Sequence, residues 1–230
     1  SLVRLFSYFM PWFLTLLIPA TLLSFTFRRY CLFVCFLLPI AYITMCYGPH
    51  FLPKQIETET GEKLKIISFN VWSKNTDMEA ISRIIASEMP DILFLQELSQ
   101  KQMDQLVHFL RTFNNNRLVN ISFDSSQMLA TMSRFPLVSM APLGTSRTKI
   151  QRVKVTSDRG VIMAFNVHFV RGSRQKSKEA IERFIRDHLT ENQGPVILGG
   201  DLNTTEQSSI YQSLKVVLNN SHDEVGWGFG

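Results

Sequence analysis

Asp201 and Asn203 stand two positions apart, directly after the apolar run Val196-Ile197-Leu198 and the pair Gly199-Gly200. Side chains in extended backbone repeat with period two, so this carboxylate and this amide leave the strand end in the same direction. Together they suit a phosphate group and a hard metal ion. Three further polar residues interrupt or end apolar runs upstream. Asn70 follows Ile66-Ile67-Ser68-Phe69, Glu97 follows Ile92-Leu93-Phe94-Leu95-Gln96, and His168 closes the run that starts at Val161. Each run is apolar enough for the inside of a packed sheet, yet each delivers one group that water would otherwise solvate. Burying those groups separately is costly, and gathering them around an ion costs less. Taken singly, Asn70 also reads as a turn former, Glu97 as a surface carboxylate near a helix, and His168 as a satisfied core histidine. Four such residues in this order outweigh the separate readings.

The elements that must position these residues follow from hydrophobic period and turn signals. A strand starts near Leu64. Asn75, Thr76 and Asp77 offer capping oxygens to a helix whose Met78, Ile81, Ile84 and Ile85 recur at helical spacing before Pro90. The first unit is therefore strand, helix, strand, with Asn70 and Glu97 toward the same end of neighbouring strands. Met103, Leu106, Val107 and Leu110 mark a second helix. The stretches 117–121, 128–132 and 150–155 alternate as strands, and Ser157-Asp158-Arg159-Gly160 turns the chain into a hairpin from Val153 to His168. A helix is expected over about 176–189, a strand over 195–198, and a last helix carrying Ile210, Leu214, Val217 and Leu218. Alternating strands and helices favour parallel pairing, while the hairpin demands antiparallel pairing. Two mixed sheets packed together with helices outside satisfy both.

The 230 residues carry a net charge of +5 and are 45% hydrophobic, with the apolar excess at the front. No charged residue occurs from Leu5 to Phe27, and Tyr30 to Phe51 holds only His50 as a titratable cation. Each run meets the roughly 20 residues needed to cross a bilayer core, so residues 1–52 read as a hairpin of two transmembrane helices. Pro11, Pro19 and Pro39 are tolerable there, and Trp12, Tyr8, Tyr30 and Tyr47 sit where interfacial anchors belong. Residues 53–63 form a polar linker, and 64–230 form the soluble domain. Arg28 and Arg29 at the hairpin tip favour a cytoplasmic tip and an extracytoplasmic domain, against Arg4 and Lys54. Cys31, Cys35 and Cys46 all fall in the second apolar run, which excludes a disulfide framework or a cysteine metal site in the domain. No basic stripe interleaved with aromatics appears, as single-strand binding would need.

From Leu64 onward the chain resembles the endonuclease/exonuclease/phosphatase superfamily of metal-dependent phosphoesterases. The resemblance is carried by Ser68-Phe69-Asn70, Gln96-Glu97, Met132-Ser133-Arg134-Phe135-Pro136, Asn166-Val167-His168 and Gly200-Asp201-Leu202-Asn203. Gly226-Trp227-Gly228-Phe229-Gly230 is similar to the glycine-rich approach to the last catalytic strand in a membrane-anchored bacterial subgroup. The family's closing Asp-His pair is not found; His222-Asp223 has the reverse order, and His188 falls in an expected helix. The chain accordingly reads as a fragment, weak or inactive by itself.

The resemblance implies an α+β fold, a four-layer α/β/β/α sandwich of two mixed sheets, here preceded by two transmembrane helices. It also implies hydrolysis of a phosphodiester in nucleic acid or a phospholipid head group. Glu97 and Asn70 would bind Mg²⁺ or Mn²⁺, a hard ion that needs few protein ligands until substrate phosphate arrives. Asp201 would orient or deprotonate the attacking water, Asn203 would donate to the phosphoryl oxygens, and His168 would hydrogen-bond the same group. Arg171, with Arg174, Lys176 and Lys178, could guide anionic substrate or be a solvated loop and helix face. The alternative from another class is a catalytically inactive, membrane-bound phospho-ligand-binding protein.

Overall fold

A computed structural model describes residues 10–52, 63–113, 117–158, 160–170, 172, 174–184, 194–206 and 208–226. The chain divides into two compact units, one of Ser1–Thr60, Thr205–Gln207 and Leu218–Gly230, the other of Gly61–Thr204 and Ser208–Val217.

In the first unit a 3-10 turn, Met10–Phe13, leads into α1 (Leu14–Thr26), and α2 (Tyr30–Tyr47) continues through a second 3-10 turn to Phe51. The two helices pack on each other, with Phe25 and Phe33 5.5 Å apart between ring centroids. Arg28 takes a positive φ of 54° in the tight connection. Thr21 and Ser24, both buried, return their hydroxyls at 2.7 Å to the carbonyls of Leu17 and Ala20, so neither leaves an unmade donor.

Of the two expected transmembrane helices, the described residues hold one that is long and apolar enough, and the other is not confirmed. Tyr30–Phe51, 22 residues with mean hydropathy 2.0, is long and apolar enough to cross a membrane. The 13 residues of α1 reach only about 20 Å at about 1.5 Å per residue, short of a hydrocarbon core of about 30 Å. Pro11 lies in the 3-10 turn that precedes α1. Residues 1–9 lie outside the described residues.

The second unit holds two sheets. The first has strand order β1-β2-β4-β3, from β1 (Ile66–Asn70), β2 (Ile92–Gln96), β3 (Asn120–Asp124) and β4 (Leu129–Ser133). The second has order β5-β7-β8-β9, with β6 also paired to β7. Its strands are β5 (Leu137–Ser139), β6 (Leu143–Thr145), β7 (Thr148–Ser157), β8 (Gly160–Phe169) and β9 (Val196–Asp201). β1 runs parallel to β2 and β8 parallel to β9, while β2–β4, β3–β4 and β7–β8 are antiparallel, so both sheets are mixed.

Period two assigns each strand residue to a layer. In β2, Leu93 and Leu95 face outward into a core with Met78, Ile81 and Ile85 of α3 (Met78–Glu88) and Met103, Leu106 and Leu110 of α4 (Gln100–Thr112). Ile92 and Phe94 face inward against Val153, Val155, Ile162 and Ala164 of the other sheet. Burying each large apolar side chain contributes about 1.5–3 kcal/mol. On the far side, Phe165 of β8 meets Phe184 of α5 (Arg174–Phe184) edge to face at 4.3 Å. α5 packs in turn with α6 (Ser209–Lys215). These four layers match the expected sandwich.

The helix ends are capped as their sequences require. Asp77 accepts from Ala80 N at 2.9 Å, and Met89 ends α3 in a left-handed turn just before Pro90. Ser99 and Gln102 form a capping box at the start of α4. α5 ends at Phe184, and residues 185–193, which include the rest of the expected helix and His188, lie outside the described residues. A short helix, α7 (Ser221–Val225), carries His222 and Asp223 and belongs to the first unit.

Candidate active site

Asn70 is the last residue of β1, Glu97 follows β2, His168 is the penultimate residue of β8, and Asp201 ends β9. Register brings them to one end of the sandwich. Asn70 pairs with Gln96 in the first sheet and His168 with Asp201 in the second, and β1 and β2 pack against β9 and β8. Strand parity puts Asn70, His168 and Asp201 on the facing surfaces: counting back by twos from His168 gives Asn166, Ala164 and Ile162, the inward side of β8, whereas Glu97, one position past the inward Gln96, leaves β2 with a positive φ of 57° outside that parity.

The geometry is convergent. Asn70 Nδ2 donates to Glu97 Oε1 at 3.1 Å and to Asp201 Oδ2 at 2.9 Å, joining residues 27 and 131 positions away. Asn70 Oδ1 accepts from Trp72 N at 3.0 Å. His168 Nε2 lies 3.4 Å from Glu97 Oε1, and Ser73 N donates to Glu97 Oε2 at 3.4 Å. Asp201 Oδ1 accepts from Asn203 N at 2.9 Å and Oδ2 from Asn203 Nδ2 at 3.0 Å. Asn203 therefore meets the cluster, with its amide turned to Asp201. Arg171 lies outside the described residues.

Electrostatics keep His168 neutral. Burial pushes its imidazole below the ordinary histidine range, Lys149 adds to that push, and the carboxylates of Glu97 and Asp201 pull the other way without overcoming it. Its Nδ1 is buried with no hydrogen-bond partner among the described residues.

The site's backbone is strained. Six non-glycine residues among those described have positive φ, and three of them are here: Trp72 at 58°, Glu97 at 57° and Asn203 at 45°. Asparagine tolerates this region, but for tryptophan and glutamate it costs on the order of 1–3 kcal/mol each. The surroundings hold Trp72 in place: its carbonyl accepts from Gln102 Nε2 at 3.1 Å and Asn75 N at 2.8 Å. The result is a tryptophan 60% exposed beside the carboxylates.

Directly beneath lies a buried polar seam that sequence reasoning left without a role. Gln96 Nε2 donates to Asn166 Oδ1 at 2.7 Å and Ser68 Oγ at 3.2 Å. Asn166 Nδ2 donates across to the carbonyls of Leu95 at 3.0 Å and Ala130 at 2.9 Å. Thr131 Oγ1 donates to Gln151 Oε1 at 2.7 Å, and Gln151 Nε2 donates to Ser122 O at 3.0 Å. These amides tie the sheets together one layer below Glu97 and His168. The signal was parity: Asn166 is two positions before His168, and Gln96 two after the inward Phe94.

Two carboxylates meet on the Asn70 side chain, and carboxylate and amide oxygens are hard donors of the kind that fit a divalent ion such as Mg²⁺. The NH₂ group of Asn70 donates to both acids, which brings two carboxylates together at a place whose electrostatic character a cation would satisfy. Among the described residues no three His, Cys, Asp or Glu side chains gather as a protein-only metal cage. Mg²⁺ does not need one, because it commonly takes one or two carboxylates, waters and substrate phosphate.

The sequence model of the Endonuclease/Exonuclease/phosphatase family matches residues 67–229. No curated protein matches the sequence. Among solved structures, truncated TDP2 of Caenorhabditis elegans is similar at 20% identity and a TM-score of 0.52, over 63% of this chain and 64% of that one. An endonuclease/exonuclease/phosphatase family protein of Leptotrichia buccalis is similar at 16% identity and 0.55, over 66% and 72%. Beta toxin of Staphylococcus aureus is similar at 15% identity and 0.53, over 69% and 73%. These likenesses concern the fold. The chain spans just under two thirds of the truncated TDP2 and about half, 52%, of a longer form of that protein.

Proposed function

From the premise that this chain belongs to the endonuclease/exonuclease/phosphatase family, whose members are hydrolases of phosphoester bonds, we propose a membrane-anchored phosphodiesterase dependent on a divalent metal. The observation that carries this reading is the meeting of Glu97, His168 and Asp201 around Asn70, from four strand ends and two sheets. The anchor rests on Tyr30–Phe51 and its largely exposed apolar side chains, and Arg28 and Arg29 of the hairpin tip support an extracytoplasmic domain. The substrate is a phosphodiester of nucleic acid or of a phospholipid head group.

A phosphodiester resists hydrolysis because its oxygens repel a nucleophile and its alkoxide leaves poorly. Glu97 and Asn70 would hold Mg²⁺ or Mn²⁺, which when bound supplies Lewis-acid neutralisation of the phosphoryl oxygens. Asp201 accepts from three N–H donors in the site, and an ionised carboxylate fixed in this way holds an attacking water by hydrogen bonding and orients it in line. Neutral His168 can donate one N–H to a phosphoryl oxygen as charge builds there. Asn203, anchored on Asp201, offers its second amide hydrogen to the same group. Arg171 would contribute positive charge that attracts an anionic substrate.

The full-length protein in detergent, assayed on plasmid DNA, sphingomyelin and phosphatidylinositol phosphates, should turn over one of them with Mg²⁺ and stop with chelator. Glu97→Ala should lose at least about a hundredfold in kcat/KM, with an unchanged circular-dichroism spectrum. Turnover that survives chelation would contradict the mechanism. Metal and phosphate binding without turnover on any substrate would favour the binding-protein alternative.

A further inference from the structure

The inner face of the second sheet carries one cation that the proposed mechanism does not use. Gln151, Val153 and Val155 of β7 point between the sheets, and counting back by two from Gln151 places Lys149 on that face. Lys149 pairs in register with His168, which pairs with Asp201, so one row across the sheet reads Lys149, His168, Asp201 at the level of the site. Lys149 is half-buried, and among the described residues its ammonium has no hydrogen bond or ion pair.

An ammonium group half out of water without a partner is unfavourable unless an anion completes it. The acids of the cluster do not: Glu97 is engaged by Asn70, Ser73 and His168, and Asp201 by Asn70 and Asn203. Its charge is nevertheless felt at His168. What the row lacks is an anion lying over it, opposite the carboxylates.

We propose that Lys149 is a phosphate-binding residue that takes a non-bridging oxygen of the substrate's phosphoryl group on the side away from Glu97. It pairs with the substrate's charge from the second sheet, while Glu97 and Asn70 act from the first. This rests on the reading of the cluster as a phosphoesterase site. It also sets a requirement on the ligand: the group over the row must be anionic, so a substrate presents its phosphate there and keeps any cationic head-group nitrogen away.

The test uses full-length protein in detergent, with inorganic phosphate as the probe in calorimetry and Mn²⁺ binding followed by electron paramagnetic resonance. Lys149→Gln should weaken phosphate binding about tenfold or more and raise KM for the phosphodiester more than it lowers kcat. Lys149→Arg should restore most of both. Mn²⁺ affinity and thermal melting should stay within error of the parent in both variants. Phosphate affinity unchanged in Lys149→Gln, with the parent binding phosphate and Mn²⁺ normally, overturns the role of Lys149 and leaves the phosphoesterase reading standing. A parent that binds neither Mn²⁺ nor phosphate overturns that reading and this inference with it. Loss of Mn²⁺ binding together with phosphate binding in both variants would show a purely structural lysine.

Discussion

At the scale of single residues, the chain places its costliest groups where partners are already supplied. Asp91 illustrates this away from the site. Its side chain is 3% exposed, lies 2.7 Å from Arg134 Nε, pairs with Arg117, and accepts from Lys65 N at 2.7 Å. Burial alone would raise its carboxyl, but the Arg117 hydrogen bond, the Lys65 amide and the charges of both arginines bring it below the ordinary carboxylate range. A carboxyl depressed in the folded state stabilises fully above its unfolded value near 3.9 and loses that contribution as pH falls through the folded value. Asp91→Asn should therefore lower stability by about 1–3 kcal/mol at pH 7, measured by chemical denaturation. The gap between variant and parent should shrink as pH falls below about 4. A gap that widens with acid would reject this account.

At the scale of elements, the site depends on how closely β9 can approach its neighbours. Gly200 has φ of 140°, and a Cβ there would stand 2.0 Å from Val167 O and 2.7 Å from Val167 N, inside the backbone of β8. A Cβ on Gly199 would stand 2.5 Å from the ring of Phe94 in the opposing sheet. The two glycines thus let β9 pair with β8 and let the sheets close, one residue before Asp201. Gly200→Ala should cost about 1–3 kcal/mol or more, because backbone cannot yield as a side chain can. Gly199→Ala should cost less. Both should impair activity beyond their effect on melting temperature, since His168 pairs with Asp201 in the next position. Melting curves paired with kinetics check this, and Gly200→Ala melting like the parent would reject it. At this scale, the sequence already showed β1, β2, β8 and β9 as apolar runs ended by polar groups, and the hairpin between β7 and β8 by its turn. β5 and β6 went unread, because three-residue strands such as Leu137–Ser139 and Leu143–Thr145 are too short to display a period.

At the scale of the whole molecule, an apolar front of the chain precedes a polar-surfaced sandwich. Trp12, Leu16, Leu22, Phe27, Leu38 and Met45 are among the large apolar side chains left exposed on the helices and the turns that flank them, a pattern that water does not favour. The full-length protein should sediment with membranes, resist release by high salt and alkaline carbonate, and be released by detergent. Deleting residues 1–52 should move it to the soluble fraction. Parent protein found in the high-speed supernatant without detergent would refute the anchor. What the amino-acid sequence determined alone is the set of chemical groups and the family they belong to, since residue type and strand-end position survive as local pattern. It also determined that the front is apolar, but not how its first run divides between 3-10 turn and helix. Only the tertiary structure decided that Asn70 would bridge Glu97 and Asp201, that Gln96 and Asn166 would join the sheets beneath them, and that Lys149 would share a row with His168. Those relations depend on register between strands far apart in the chain, and no local pattern encodes register. It is set when facing layers pack without voids and each buried polar group finds its partner.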